Sequence, residues 1–88
     1  MTQEILVSVE DVVTDIKTVI KKEGKDEIRY DLPNDNTLIV YVIADPDDTM
    51  EIVVERLDEF GNTIECATDD YDCDDKTLTA MVENALML

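Results

Sequence analysis

The apolar residues of this 88-residue chain change their spacing twice, and that change constrains the fold more than any other feature of the sequence. They recur every three or four residues over residues 9–23, alternate or run together over residues 26–67, and regain the first spacing over residues 76–87. The first spacing is typical of an amphipathic helix and the second of β-strands. The order predicts a single α+β domain over residues 1–88, in which an N-terminal and a C-terminal helix flank an antiparallel sheet of three to four strands.

The first helix is predicted over Val9–Glu23. Ser8 is a good N-cap, and Asp11, three residues later, approximates a capping box. Gly24 supplies the stop. Upstream, residues 2–8 fit either an earlier start of this helix or a short extended arm, because Ile5 and Leu6 continue the apolar stripe.

The extended runs are predicted as strands at Asp26–Leu32, Thr37–Ala44 and Thr49–Leu57, with a short fourth strand over Thr63–Ala67. Turn residues separate them, and those at 33–36 predict a hairpin. The run Thr37–Ala44 is apolar on both faces, which favours a central position in the sheet.

The acidic stretch Thr68–Asp75 is predicted to be neither a strand nor part of the core. A last helix follows at Lys76–Met87, with Asp74 or Asp75 as its cap. Of the two cysteines, Cys66 is expected to be a half-buried thiol on a strand and Cys73 a loop thiol, both reduced in a cytoplasmic protein. A disulfide across their seven-residue separation is the alternative.

The charge excludes several functions. The chain has 23 acidic and 7 basic residues and a formal charge of −16, and residues 31–88 hold sixteen acids and two bases, a balance of −14. Binding to nucleic acid or to an anionic membrane requires clustered Lys and Arg, so neither is expected. No apolar run approaches the ~20 residues of a membrane span. The N-terminus lacks a signal peptide, and the predicted location is the cytoplasm.

No catalytic pattern is present. The chain has no His and only two Gly, and neither Cys lies beside a cation in the sequence, so we expect no enzyme activity and no cofactor. Asp70, Asp72 and Asp74 match the first three ligand positions of a calcium loop. The pattern fails at the next two defining positions, which are Asp75 and Met81. We therefore predict no dedicated metal site, although a small acidic module that binds divalent metal stays an alternative.

The acidic residues themselves are the candidate binding surface for a basic protein. Glu51 and Glu55 lie on the same face of the third predicted strand, and a turn and a loop add further carboxylates. Tyr71, within the loop, and Phe60, at a turn tip, are expected to be exposed aromatic residues. The predicted contact set is Asp45, Asp47, Asp48, Glu51, Glu55, Asp69, Asp70, Tyr71, Asp72, Asp74 and Asp75. The alternative is an acidic surface that serves solubility alone.

Three features carry a resemblance to a known group of proteins: the amphipathic first helix Asp11–Lys17, the strand Leu38–Ile43, and acidic turns before the final helix. With its small size and acidity, the chain resembles phage-encoded inhibitors of bacterial defence, and more narrowly the anti-CRISPR proteins that occupy the DNA-binding surface of a Cas9-type nuclease. The resemblance implies a non-enzymatic DNA mimic that acts on a basic partner in the host bacterial cytoplasm. The alternative is an antitoxin or immunity protein that masks a basic toxin, which would also use an acidic surface to bind a basic one.

Overall fold

The computed structural model describes residues 7–44, 47 and 49–87. Helix α1 (Val9–Asp15) continues into a π-helical segment (Ile16–Lys22), four strands follow, and helix α2 closes the chain. The remaining elements are β1 (Glu27–Asp31), a short 3-10 helix (Pro33–Asp35), β2 (Thr37–Ala44), β3 (Met50–Leu57), β4 (Thr63–Asp70) and α2 (Asp75–Leu86). This order confirms the predicted α+β fold. The choice between helix and extended arm over residues 2–8 falls largely outside the described residues, and Ser8 itself is an extended N-cap.

The first helix begins where the sequence predicts and changes from an α-helix to a π-helix halfway along its length. The Ser8 side chain accepts a hydrogen bond from the backbone N–H of Asp11 at 3.1 Å. From Ile16 onward the helix is π-helical, which the sequence did not predict. The apolar spacing could not reveal the change, because Ile16 and Ile20, four residues apart, are both buried in the observed helix. Gly24, with a φ of +77°, ends it.

The four strands form one antiparallel meander in the order β1-β2-β3-β4. Both helices pack on one face of this sheet and bury a continuous core. The core side chains are Val12, Val13, Ile16, Ile20, Leu32, Leu38, Val40, Ile52, Val54, Leu78, Met81, Val82 and Ala85. We call the opposite side the open face. The side chains of Ile39, Tyr41 and Ile43 on β2 and of Val53 on β3 lie at its centre. The predicted hairpin at residues 33–36 and the central position of β2 are confirmed.

Strand β4 is longer than predicted. The expectation that the whole stretch Thr68–Asp75 lies outside strands and core was wrong, because Thr68–Asp70 pairs with β3 and only then does the loop begin. Edge strands tolerate charged side chains, since solvent reaches them and only the backbone must pair. Past the strand, Tyr71 and Cys73 pack against the core.

A buried cation ties the end of α2 to the sheet. Arg56 on β3 is 6 % exposed, and its Nη1 donates to the carbonyl oxygens of Ala85 at 2.9 Å and Leu86 at 3.3 Å. The side-chain oxygen of Asn36, with the amide turned toward Arg56, accepts from Nε at 3.1 Å and Nη2 at 2.9 Å. One guanidinium thus satisfies the last carbonyls of a helix and joins it to the β1–β2 turn.

Candidate acidic interface

Sheet register brings several of the predicted contact residues to one end of the molecule. Strand β3 starts where β4 ends, so the turn before β3 and the loop after β4 lie together. We call this region the acidic end; it consists of Asp47, Glu51, Asp69, Asp70 and Asp72. Two further predicted residues, Asp45 and Asp48, lie outside the described residues.

The centre of the acidic end is a pair of like charges. Glu51 on β3 lies directly opposite Asp70 on β4. Side chains in such a position have their Cβ atoms about 5 Å apart, and two carboxylates there repel each other. Asp70 is exposed and Glu51 is half-buried. The backbone register therefore holds two negative charges close together at a cost in stability.

Glu55 lies apart from the acidic end. It is four residues along β3 from Glu51, or about 13 Å at the rise of a strand. Both of its carboxylate oxygens accept hydrogen bonds, Oε1 from the hydroxyl of Tyr41 at 2.9 Å and Oε2 from the hydroxyl of Thr63. The hydrogen bond to Glu55 also raises the pKa of Tyr41 above its ordinary value. Glu55 thus links three strands, a role that the alternation of the sequence did not predict.

Asp74 and Asp75 serve helix α2. Asp74 is the N-cap, and its Oδ1 accepts from the backbone N–H of Thr77 at 2.9 Å. Hydrogen bonds from the side chain and the backbone of Thr77 lower the pKa of Asp74. Asp75 forms an ion pair with Lys17 of the first helix, with 2.8 Å between Nζ and Oδ2. The loop is therefore divided: its last two carboxylates hold the helices, and its earlier ones belong to the acidic end.

The expectation of an exposed Tyr71 was wrong. The ring is half-buried against the core, and Nζ of Lys21 lies 5.5 Å from its centroid in a cation–π contact. The cause is the longer β4, whose pairing continues to the Tyr71 backbone N–H, which donates to Met50 O at 3.0 Å. Phe60 is 80 % exposed at its turn, as expected, but that turn lies at the other end of the sheet.

Sequence reasoning missed Met50, the residue before Glu51. The alternation places it on the buried face with Ile52, yet it is 45 % exposed. An open cleft of about 520 Å³ is lined by Thr49, Met50, Asp70, Tyr71 and Asp72. Apolar walls beside carboxylates suit the long aliphatic stem and charged head of a Lys or Arg side chain.

Four basic side chains of the described residues have contacts within the fold, and one of them, Lys21, lies beside the cleft because its partner Tyr71 lines it. Lys17 and Lys21 contact Asp75 and Tyr71 on the helix side, and Arg29 pairs with Glu27 on β1. Arg56 is inside the protein. Within residues 7–44, 47 and 49–87, no three His, Cys, Asp or Glu side chains are placed to hold a metal ion.

Comparison with known proteins returned no match to a family model, a curated protein or a solved structure. None of the helices in the described part of the chain is long and apolar enough to cross a membrane.

Proposed function

We propose that this chain is a non-enzymatic binding protein that imitates nucleic-acid phosphates and blocks the basic, DNA-binding surface of a partner protein, such as a defence nuclease in the cytoplasm of a bacterium. The observation that carries the proposal is the Glu51–Asp70 pair, two like charges held opposite each other in a sheet.

The spacing of these charges suits a phosphate-binding surface. Phosphates rise about 3.4 Å apart along one DNA strand. Residues opposite each other in a sheet have Cβ atoms about 5 Å apart, so the Glu51 and Asp70 carboxylates are carried by neighbouring strands. A basic surface that accepts closely spaced phosphates can therefore meet these two carboxylates. Because the strands fix the Glu51 and Asp70 backbones, binding loses less conformational entropy than it would with an unstructured acidic tail.

The distribution of charge supports the same conclusion. Repulsion between Glu51 and Asp70 opposes folding, so a use in binding gives a physical reason for the arrangement. The excess negative charge also attracts a basic partner over distance and raises the association rate, an effect that salt screens.

The test is direct binding to a guide-loaded Cas9-type nuclease, measured by the fluorescence anisotropy of the chain labelled at its N-terminus. We expect saturable binding, competition by duplex DNA containing the target, and affinity at least about tenfold weaker at about 200 mM salt than at about 50 mM. The combined variant Asp70→Asn and Asp72→Asn should bind at least about tenfold more weakly.

The matched control is Asp35→Asn with Glu59→Gln, which removes the same charge from two exposed turn residues at the other end of the sheet. It should bind within about twofold of the wild type at equal ionic strength. Saturable binding that DNA does not compete for, or equal losses in the two variants, contradicts the proposal. Absence of binding to the nuclease would exclude this partner, and a broader panel of basic DNA-binding proteins that also fails to bind would exclude the function.

A further inference from the structure

The open face carries an apolar strip along its middle. Ile39, Tyr41 and Ile43 follow one another along β2, and Val53 of β3 lies opposite Tyr41. Ile43 is 39 % exposed, whereas Val53 is only 3 % exposed between its strand neighbours Tyr41 and Thr68. Strands that are apolar on both faces are typical of sheets covered on both sides. In the described part of the chain, however, the helices cover only the other face.

Carboxylates lie on both sides of this strip. On β1, Glu27 is opposite Tyr41; on the far side, Glu51 is opposite Ile43, with Asp70 beyond it. The distance between β1 and β3 is two strand spacings, or about 9.6 Å. This matches the ~10–12 Å diameter of an α-helix with its side chains. The strip from Ile39 to Ile43 is about 13 Å long, which corresponds to between two and three turns of helix.

The same face contains an unfilled depression. It has a volume of about 340 Å³ and is lined by Asp26, Glu27, Arg29, Ile39, Tyr41 and Val42. Its lining combines charged and apolar side chains, which suits a side chain with an aliphatic stem and a polar end.

Resting on the proposed function, which supplies a basic partner, we propose that the open face binds a cationic amphipathic helix of that partner. The apolar stripe of the helix packs on Ile39, Tyr41 and Ile43. Its Lys and Arg side chains lie over the Glu51–Asp70 pair, because Glu27 on the other side already pairs with Arg29.

Charge complementarity selects this occupant over a second copy of the chain. The open face presents more acidic than basic side chains: Glu27, Asp31, Glu51, Glu55 and Asp70 against Arg29. Two such faces in contact would place like charges together in a water-poor interface, which is strongly unfavourable. A cationic helix reverses the sign of the interaction and covers the same apolar area.

The probe is a fluorescein-labelled peptide of about 18 residues that contains only Leu and Lys, with Leu every three or four residues, long enough to form a helix on binding. A second peptide has the same composition with its Leu residues spread around all faces. We expect the first to bind at least about tenfold more tightly than the second. Amide NMR shifts of the chain should centre on β2 and on the start of β3.

The decisive variant is Ile39→Thr with Ile43→Thr, since Thr keeps the β-propensity of the strand. It should weaken binding of the first peptide about tenfold, whereas Phe60→Ser, which removes a more exposed apolar side chain at a distant turn, should have less than a twofold effect. The urea midpoint verifies folding, and the single variant Ile43→Thr replaces the pair if the pair is unfolded.

Equal binding of the two peptides, or no effect of the β2 variants, overturns the inference. In that case weaker nuclease binding by Asp70→Asn with Asp72→Asn would still support the proposed function. Failure of the helix-binding inference can therefore be distinguished from failure of the proposed function. Sedimentation of the chain alone provides another refuting result. A dimer that the β2 variants dissociate would identify a second copy as the occupant and contradict the inference.

Discussion

Replacement of Arg56 by Met should destabilise the protein by about 3 kcal/mol. The change keeps much of the aliphatic volume and removes the guanidinium, which donates to two carbonyl oxygens of α2 and to Asn36. Hydrogen bonds of a charged donor contribute about 1.5–3 kcal/mol each, and because all of these bonds come from one guanidinium, their sum is less than additive. The total stability of 88 residues is about 4–13 kcal/mol.

Urea unfolding followed by circular dichroism measures the loss directly. Since the entropy of unfolding is about 2.1 cal/mol/K per residue, a loss of about 3 kcal/mol lowers the Tm of 88 residues by about 16 °C. Lys76→Met is the matched control, because it removes the same charge from an exposed position on α2 and should change stability by less than about 0.5 kcal/mol. Arg56→Lys keeps the charge without the planar fork and should lie between the two. A loss below about 1 kcal/mol in Arg56→Met would refute the role of Arg56 as the tie between α2 and the sheet.

Three further predictions concern single side chains. Asp74→Ala should destabilise the protein at pH values above 3.8, the ordinary pKa of the carboxyl group, because the N-cap of α2 is lost. Urea midpoints across acid pH should show this difference from the wild type vanish as the pH falls through the lowered pKa of Asp74. A difference that does not change with pH would refute the capping role. Glu55→Gln should lower the pKa of Tyr41 toward its ordinary value of 10.0, because the Glu55 carboxylate favours the neutral phenol. In the wild type the contact should stabilise the fold below pH 10.0, and this contribution should be lost as the pH rises through the raised pKa. An absorbance titration of Tyr41 that is unchanged in the variant would contradict the contact. Cys73 should react more slowly with a disulfide reagent than exposed Cys66, since burial first and Asp69 second raise the pKa of Cys73; equal rates in the two single Cys→Ser variants would contradict this.

Side-chain patterns were sufficient to predict most of the fold. The spacing of apolar residues predicted the strands and both helices, and Ser8 and Gly24 marked the ends of the first helix. Patterns of this kind report which side chains leave water, and that information specifies helices and covered strands. The exposed end of β4 was missed because its pairing depends on backbone groups, and nothing in the apolar pattern encodes them.

The candidate site depended on register, which the sequence did not reveal. A bulge between Arg56 and Leu57 shifts the pairing of β3 with β4 by one residue. Without that shift, Glu51 would lie opposite Asp69, and the side chains of Asp69 and Asp70 would each lie on the other face of the sheet. The two cysteines show the same limit: Cys66 proved exposed, and Cys73 proved half-buried because Tyr71 and Cys73 follow the strand onto the core.

The contact set predicted from sequence was therefore too broad. Asp74, Asp75 and Glu55 have internal partners, and Tyr71 is covered by Lys21. Composition reports how many charges a chain carries, but only the folded structure shows that these carboxylates and this ring have contacts inside the protein.

The most direct test of the central claim is the ratio of two dissociation constants for the guide-loaded nuclease, measured at equal ionic strength. One is that of Asp70→Asn with Asp72→Asn, and the other is that of Asp35→Asn with Glu59→Gln. Both variants carry the same net charge, so the ratio isolates the position of the carboxylates from their number. The account predicts a ratio of at least about ten. A ratio near one would show that net charge alone drives binding and would contradict a phosphate-mimicking surface at the acidic end.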